Sequence, residues 1–392
     1  MNHAITQGSA RNPAYDHAPA HGHALNLAHK GRGATRNPAG RFERFSQEPE
    51  DDGWASLEEI AAAPPPATEI FADTSRSVIA RNDSPDLPFD RSVNPYRGCE
   101  HGCIYCFARP THNFLGLSAG LDFETKIWVK HDVARLLRAE LAKPGYRCRP
   151  IALGTNTDPY QPIERRLALT RSILEVLREA RHPVGIVTKS SLVLRDLDIL
   201  GEMARDGLAR VSISITTQDR TLARRLEPRA TTPSRRFETV RMLAGAGIDT
   251  GVMTAPVIPG LTDHEIEALL ESARDAGATH AGYVMLRLPH DVRELFDAWL
   301  QEHYPLRRTH VLSLIRQMRG GRLNNPGFGS RLTGRGVYAD LVRRRFERAC
   351  DRLGLNGRRV PMRCDRFEAP DRDGQLELFR QAGRFPAGGD TA

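Results

Sequence analysis

A chain of 392 residues with 40% hydrophobic and 27% charged side chains is that of an ordinary globular protein, which excludes a fibrous or wholly disordered one. No stretch reaches the ~18 consecutive apolar residues of a spanning helix, and Met1 to Ala10 lacks the apolar run of a signal peptide, so a cytoplasmic, membrane-free protein is expected. Lys+Arg 56 against Asp+Glu 48 gives a net charge of +8, which favours a polyanionic partner such as DNA or RNA. Only five of those cations are Lys, so the excess is Arg, a balance that a GC-rich coding sequence also produces. Six cysteines without a secretion signal point to metal binding or catalysis rather than disulfides.

Residues 1–75 run through Ala, Gly, His, Arg, Asn and Pro, with Ala61-Ala62-Ala63-Pro64-Pro65-Pro66 near their end. Such a composition cannot bury enough apolar area to offset chain entropy, so a disordered extension is expected. His3, His17, His21, His23 and His29 fall in it and read as incidental members of a solvated tail.

From residue 85 to 290 the pattern changes. Ser92 to Arg97 reads as a first strand, and after Arg149 short β-branched runs alternate with helical patterns, the signature of βα units and a parallel sheet. Strands are expected at Pro150–Thr155, Val184–Lys189, Arg210–Thr216, Asp249–Ala255 and Gly282–Leu288. Helices are expected at His131–Lys143, Leu167–Ala180, Leu194–Arg205, Pro233–Ala246 and Asp263–Ala276. In the last of these Thr262 and Glu265 have the form of a capping box, Ile266, Leu269, Leu270 and Ala273 make one apolar stripe, and Gly277 ends the helix. Six units fit a partial barrel or an open doubly wound sheet, not a closed eight-stranded barrel. The strand Arg210–Thr216 bears on the choice: with Val211, Ile213 and Ile215 facing helices, Ser212, Ser214 and Thr216 would form a hydroxyl row on the other face. A barrel lumen holding a polar guest needs such a row.

Residues 291–370 read as a helical C-terminal extension packed on the core, with helices at Val292–Gln301, Leu306–Arg319 and Tyr338–Leu353. The last carries an apolar stripe of Val342, Phe346, Ala349, Cys350 and Leu353, with Arg344, Arg348 and Arg352 on a face read as solvated and basic. Residues 371–392 read as a tail.

The segment Asn94-Pro95-Tyr96-Arg97-Gly98-Cys99-Glu100-His101-Gly102-Cys103-Ile104-Tyr105-Cys106 sets three cysteines at C-x3-C-x2-C spacing, with Gly98 and Gly102 free to make the turns that gather sulfurs. A structural zinc wants four ligands, and because Cys148, Cys350 and Cys364 are solitary, only His101 or His112 would complete a Cys3His site. A [4Fe-4S] cluster is normally held by four thiolates; held by three, it leaves one iron open for chemistry. Two other classes stand beside an enzyme: a non-catalytic zinc- or Fe-S-containing nucleic-acid-binding module, and an electron carrier, which would require a fourth cysteine ligand.

With Tyr105 before the last cysteine, this spacing resembles the signature of the radical S-adenosylmethionine (SAM) enzymes. Within that family the chain is similar to the branch of spore photoproduct lyase and the DNA repair photolyase-like proteins. The similarity is carried by Asn94 to Cys99, Thr157 to Glu164, Leu226 to Arg229 and Ala255 to Leu261, in that order, over roughly residues 85 to 290. The resemblance implies an α/β fold, a partial (β/α)6 TIM-type barrel forming the radical SAM core. It implies a [4Fe-4S] cluster on Cys99, Cys103 and Cys106, with S-adenosyl-L-methionine on the spare iron. Reductive cleavage to a 5′-deoxyadenosyl radical would follow, acting on an unknown substrate with nucleic acid the candidate. A reducing electron donor of flavodoxin or ferredoxin type is implied too.

By the same resemblance Thr155, Asn156 and Asp158 would accept from the SAM amino group, and Ser212 or Ser214 with Glu227 would reach its ribose or methionyl part. Arg229 or Arg235 would meet its carboxylate, and Tyr105 with Pro256 and Val257 would border its adenine. A lyase that reverses a thymine dimer needs a hydrogen donor, for which Cys364 is the candidate ahead of Cys148; Cys350, on its apolar stripe, reads as a core residue.

Overall fold

The computed structural model describes residues 31–42, 66–357 and 360–371. The expectations for 1–30, 43–65 and 372–392 lie outside the described residues. The strands in chain order are β1 (Glu69–Ala72), β2 (Ile79–Arg81), β3 (Arg91–Val93), β4 (Tyr96–Arg97), β5 (Lys126–Val129), β6 (Ile151–Leu153), β7 (Val184–Thr188), β8 (Ala209–Ser214), β9 (Asp249–Val257) and β10 (His280–Met285). The principal helices are α1 (Val133–Leu141), α2 (Leu169–Glu179), α3 (Leu197–Arg205), α4 (Arg220–Leu226), α5 (Pro233–Gly245), α6 (Ile266–Asp275), α7 (Val292–His303), α8 (Pro305–Met318) and α9 (Val337–Leu353).

One sheet runs β10-β9-β8-β7-β6-β3-β2. Its six strands from β3 to β10 are mutually parallel, and β2 lies antiparallel on the β3 edge. This is the expected six-unit partial barrel. Helices cover the outer face, where Val211, Ile213 and Ile215 are fully buried in one cluster with Leu137, Ile173, Leu200, Val240 and Leu270. Ser212, Ser214 and Thr216 turn inward. Val187, in register with Ser212, keeps 37% of its surface exposed, so the inner face opens to solvent above its midpoint.

The amino end of the barrel is closed by residues 360–368. Arg210 donates to Val360 O at 2.7 Å, the Arg363 amide donates to Gly207 O at 3.0 Å and the Glu368 amide to Ala180 O at 2.9 Å. Met362 reaches the inner face at Gly185, where an added β-carbon would sit 3.6 Å from its methyl. With that end plugged, access is through the loops that follow the strands.

Four expectations are corrected. The stretch Ser92 to Arg97 is two strands in two sheets, because Pro95 interrupts the ladder: β3 joins the barrel, while β4 joins a small sheet of order β1-β5-β4. Thr262 and Glu265 form no capping box. Thr262 Oγ1 accepts the Ile258 amide at 2.8 Å, and Glu265 accepts from Thr217 Oγ1 and the Gln218 amide at 2.5 and 2.6 Å, which ties the loop after β8 to the start of α6. Part of the N-terminal region packs: the Gly33 and Ala34 amides donate to Glu124 at 2.9 Å each, and β1 pairs with β5 while its side chains stay exposed. Hydrogen bonds from backbone amides and the Arg32 side chain hold these pieces, with Ala34 the buried apolar contact, so composition could not reveal them. Finally, the basic face of α9 is partly neutralised, as Arg352 meets Glu271 at 2.5 Å, and the neighbouring Arg345 grips Glu267 at 2.6 and 2.8 Å. Val342, Phe346, Ala349 and Cys350 are buried on α9 as expected. No helix among the described residues is long and apolar enough to cross a membrane.

Candidate functional site

The cysteine loop leaves β4 at the carboxyl end of the barrel, and two glycines set its path. Gly98 has φ +84° and Gly102 φ +67°; an added β-carbon would lie 2.9 Å from His112 and Ile127 at the first and 2.6 Å from the Glu124 carboxylate at the second. The loop is tied down from every side. The Cys99 amide donates to Phe123 O at 2.9 Å and the Ile104 amide to Leu226 O at 3.1 Å. Gln161 donates to Gly98 O at 3.2 Å and accepts the Glu100 amide at 2.8 Å. Arg109, fully buried, donates to Cys103 O at 2.9 Å, to Gly102 O at 3.1 Å and to Ala119 and Gly120 O at 3.1 and 2.8 Å, while pairing with the buried Glu124. An arginine whose donors are spent on loop carbonyls fixes backbone geometry.

Cys99, Cys103 and Cys106 line one cavity of about 110 Å³ together with His101, Phe107, Thr155, Asn156, Asp158, Lys189 and Ser214. Three strand ends thus meet the cysteine loop. The loop after β6 is fastened to it by Asn94, whose Oδ1 accepts the Asn156 amide at 3.1 Å and whose Nδ2 donates to Thr155 Oγ1 at 3.2 Å. The Asn156 side chain itself makes no hydrogen bond among the described residues, which leaves its amide group to a guest.

Asp158 is at the cavity but its carboxylate is committed. It accepts from Thr188 Oγ1 at 2.6 Å, the Lys189 amide at 2.8 Å and the Tyr160 amide at 2.9 Å, and lies 3.3 Å from His101 Nδ1. Burial works against its ionisation, yet His101 and these donors hold its pKa at about 2. It therefore staples the loop after β6 to the end of β7.

Glu227 is likewise saturated. It is buried and accepts from Thr216 Oγ1 at 2.6 Å, from the Tyr105 hydroxyl and from Arg236. Burial raises its pKa, but Arg236 and Lys189 outweigh that and hold it at about 2. The Glu227 carboxylate thereby fixes the Tyr105 ring beneath the cysteine loop, with Lys189 Nζ 5.9 Å from the ring centre.

Lys189 and Arg236 were not anticipated. Lys189 Nζ donates to Ser214 Oγ at 3.1 Å at the cavity wall. Burial disfavours its charge, but Cys103 and Glu227 beside it keep its pKa above the ordinary lysine value. Its signal in the sequence was a lysine directly after a strand in a chain where nearly every cation is arginine. Arg236 carried no such signal.

Other expected residues lie elsewhere. Ser212 Oγ is 3.4 Å from His280 Nε2, deeper in the barrel than the cavity wall. Arg229 pairs with Glu100 at 3.0 Å, behind the cysteine loop, and its amide donates to His101 O at 3.4 Å. Arg235 is an exposed residue of α5 paired with Glu238, one position from the inward-facing Arg236. Pro256 and Val257 are buried at the carboxyl end of β9, outside the cavity lining. Cys364 belongs to the segment that plugs the amino end, so the length of the strands, about 3.3 Å per residue, separates it from the other three sulfurs. Cys148 precedes β6 at the same amino end, and Cys350 is in the α9 core. His112 donates Nε2 to Lys126 O at 2.9 Å and packs on Phe123, away from the cavity.

The residues present fit an iron–sulfur cluster. Burial pushes the Cys103 thiol up to about 12, with Lys189 opposing, and burial with Asp158 raises that of Cys99 well above the ordinary value. Without metal these sulfurs therefore hold their protons, and a metal would have to displace them; the fit rests on the three cysteines lining one cavity. Among the described residues no three His, Cys, Asp or Glu side chains close on one point where a single ion would sit. A cubane does not require that, since each thiolate meets a separate iron.

Residues 93–273 match the model of the Radical SAM superfamily. An uncharacterized protein of Mycobacterium tuberculosis is 42% identical over 221 residues, 56% of this chain and 65% of that protein. An uncharacterized protein of Methanocaldococcus jannaschii is 29% identical over 173 residues, 44% of this chain and 62% of that protein. The chain thus spans about 65% of the length of the curated relatives it first matches. Among solved structures, a spore photoproduct lyase variant with bound AdoMet and dinucleoside spore photoproduct superposes with a TM-score of 0.51 at 18% identity, covering 73% of this chain and 80% of that one. That likeness bears on the fold.

Proposed function

We propose, from the premise that residues 93–273 belong to the radical SAM superfamily, that this protein is a radical SAM enzyme acting on nucleic acid. Cys99, Cys103 and Cys106 are its cluster ligands. When bound, the cluster and SAM supply a one-electron cleavage that yields a 5′-deoxyadenosyl radical. The observation that carries this reading is the meeting of those three cysteines with Asn156, Lys189 and Ser214 around one cavity at the open end of the barrel.

The chain's own residues have distinct tasks. Lys189 offers a cation to the carboxylate of SAM, and the Asn156 side chain with Thr155 offers acceptors to its amino group. Ser214 orients Lys189. Asp158, Glu227 and Arg109 are positioning residues: the first joins two strand ends, the second holds Tyr105, and the third holds the carbonyls of the cysteine loop. The protein would draw its electron from a flavodoxin- or ferredoxin-type donor. The nucleic-acid substrate is supported by the net charge of +8 and by the fold it shares with spore photoproduct lyase.

Metal and acid-labile sulfide analysis of the chain after anaerobic reconstitution tests the cluster. About four iron and about four sulfide per chain are expected; about one zinc without sulfide would replace the enzyme with a structural metal module.

A further inference from the structure

The mouth of the barrel carries a ring and a cation that the reading above leaves unused. Phe107, directly after Cys106, lines the cavity and keeps 52% of its surface exposed. The Arg287 guanidinium stands over that ring at 5.7 Å. Arg287 lies two residues beyond β10, at the carboxyl end of the sixth parallel strand. It makes no hydrogen bond or ion pair among the described residues, and its Nε is buried without a partner. The other inward arginines differ: Arg109 and Arg236 have carboxylates, and Arg319 donates to four carbonyls. Burial and the neighbouring Arg331 act against the charge on Arg287, and Asp86 offsets them only in part. A partly desolvated cation whose one nearby carboxylate, Asp86, is already gripped by Arg331 at 2.6 Å is costly to keep, and an anionic guest would relieve that cost.

The surroundings extend the same chemistry. Arg331 stands over the exposed Phe328 at 4.7 Å. Asp291, in the same β10–α7 connection as Arg287, accepts from Asn113 at 2.9 Å and lies 3.7 Å from Arg41, which covers the exposed Phe42 at 5.1 Å. Single exposed rings are ordinary on protein surfaces. Of the three, only the Phe107 ring lines the cavity, and a ring carrying an arginine there suits a base with its phosphate.

We infer that Phe107 and Arg287 form the recognition pair for one nucleotide unit of an unpaired nucleic-acid strand, the base stacking on Phe107 and the phosphate meeting Arg287. This rests on the nucleic-acid reading of the site. An unpaired strand is required because a base inside a duplex has no free face to offer.

Fluorescence anisotropy of a labelled ten-residue oligothymidylate, titrated with the anaerobically purified full chain across a salt series, tests the pair. Phe107→Leu, which keeps apolar bulk but loses the ring, is expected to weaken binding by about 5- to 100-fold, the scale of one base stack; Phe107→Tyr retains it. Arg287→Gln is expected to lower the slope of log K against log salt by about 0.7, one phosphate on a single strand, while Arg287→Lys keeps that slope. Arg352→Gln, whose partner is Glu271, leaves both quantities alone. Wild-type affinity and slope in folded Phe107→Leu and Arg287→Gln would overturn the inference. Should the wild type still form 5′-deoxyadenosine, that result removes the pair and leaves the radical SAM reading. Loss of binding in the variants of a chain that forms none leaves the pair and removes the reading.

Discussion

Glu227 shows how much one buried carboxylate does here. Its oxygens take Tyr105, Thr216 and Arg236, and its pKa of about 2 stands below the ordinary 4.5. A carboxyl depressed on folding adds stability that is complete above about pH 4.5 and is lost as pH falls toward 2. Glu227→Gln leaves the Arg236 cation buried without its counter-charge, so a loss of about 3–5 kcal/mol is expected at neutral pH, with a shallower acid-side decline than wild type. Thermal unfolding between pH 3 and 7 reads both, and a variant with wild-type stability and acid slope would show the pair to be idle. That the three cysteines would gather at one cavity was legible because chemistry restricts what C-x3-C-x2-C can mean. Arg109, Arg236 and Arg287 were not, because in an Arg-rich chain an arginine reads as surface until the fold brings carbonyls, a carboxylate or a ring to it.

At the scale of elements, the six parallel strands and their helices followed from periodicity, since apolar spacings of 2 and 3.6 reflect faces that are buried. What failed was local chemistry overridden by tertiary partners. Thr262 and Glu265 have capping-box spacing but serve other loops, and the apparent strand from Ser92 to Arg97 breaks where Pro95 and the Asn94 side chain pass the chain to a second sheet. The small sheet of β1, β5 and β4 had no clear pattern because β1 buries so little. The plug at residues 360–368 was also illegible: Phe367 packs on Tyr146 and His182, with ring centres 5.4 Å from each, through contacts distant in sequence. Ending the chain at residue 357 is expected to lower stability by about 2 kcal/mol, the partial burial of one Phe and one Met, and to leave iron content unchanged. Urea unfolding and iron analysis check this; loss of iron on truncation would mean that the plug shapes the mouth as well.

For the molecule as a whole, closure of one end of the barrel and exposure of the other give the site its direction. Arg109, Asp158 and Glu227 tie the cysteine loop and the strand ends together, while the side chains of Asn156 and Arg287 make no hydrogen bond among the described residues. The excess of positive charge is also redistributed by the fold: on α9 it meets Glu267 and Glu271, whereas Arg287 makes no ion pair among the described residues and its nearby carboxylate, Asp86, is paired with Arg331. The central claim is that three thiolates hold a cluster that cleaves SAM. Its most direct test is 5′-deoxyadenosine formation by the anaerobically reconstituted chain with dithionite and SAM, compared with Cys103→Ala. The nucleoside is expected from the wild type and not from the variant; equal yields from both, or none from a wild type carrying about four iron and four sulfide, would contradict the account.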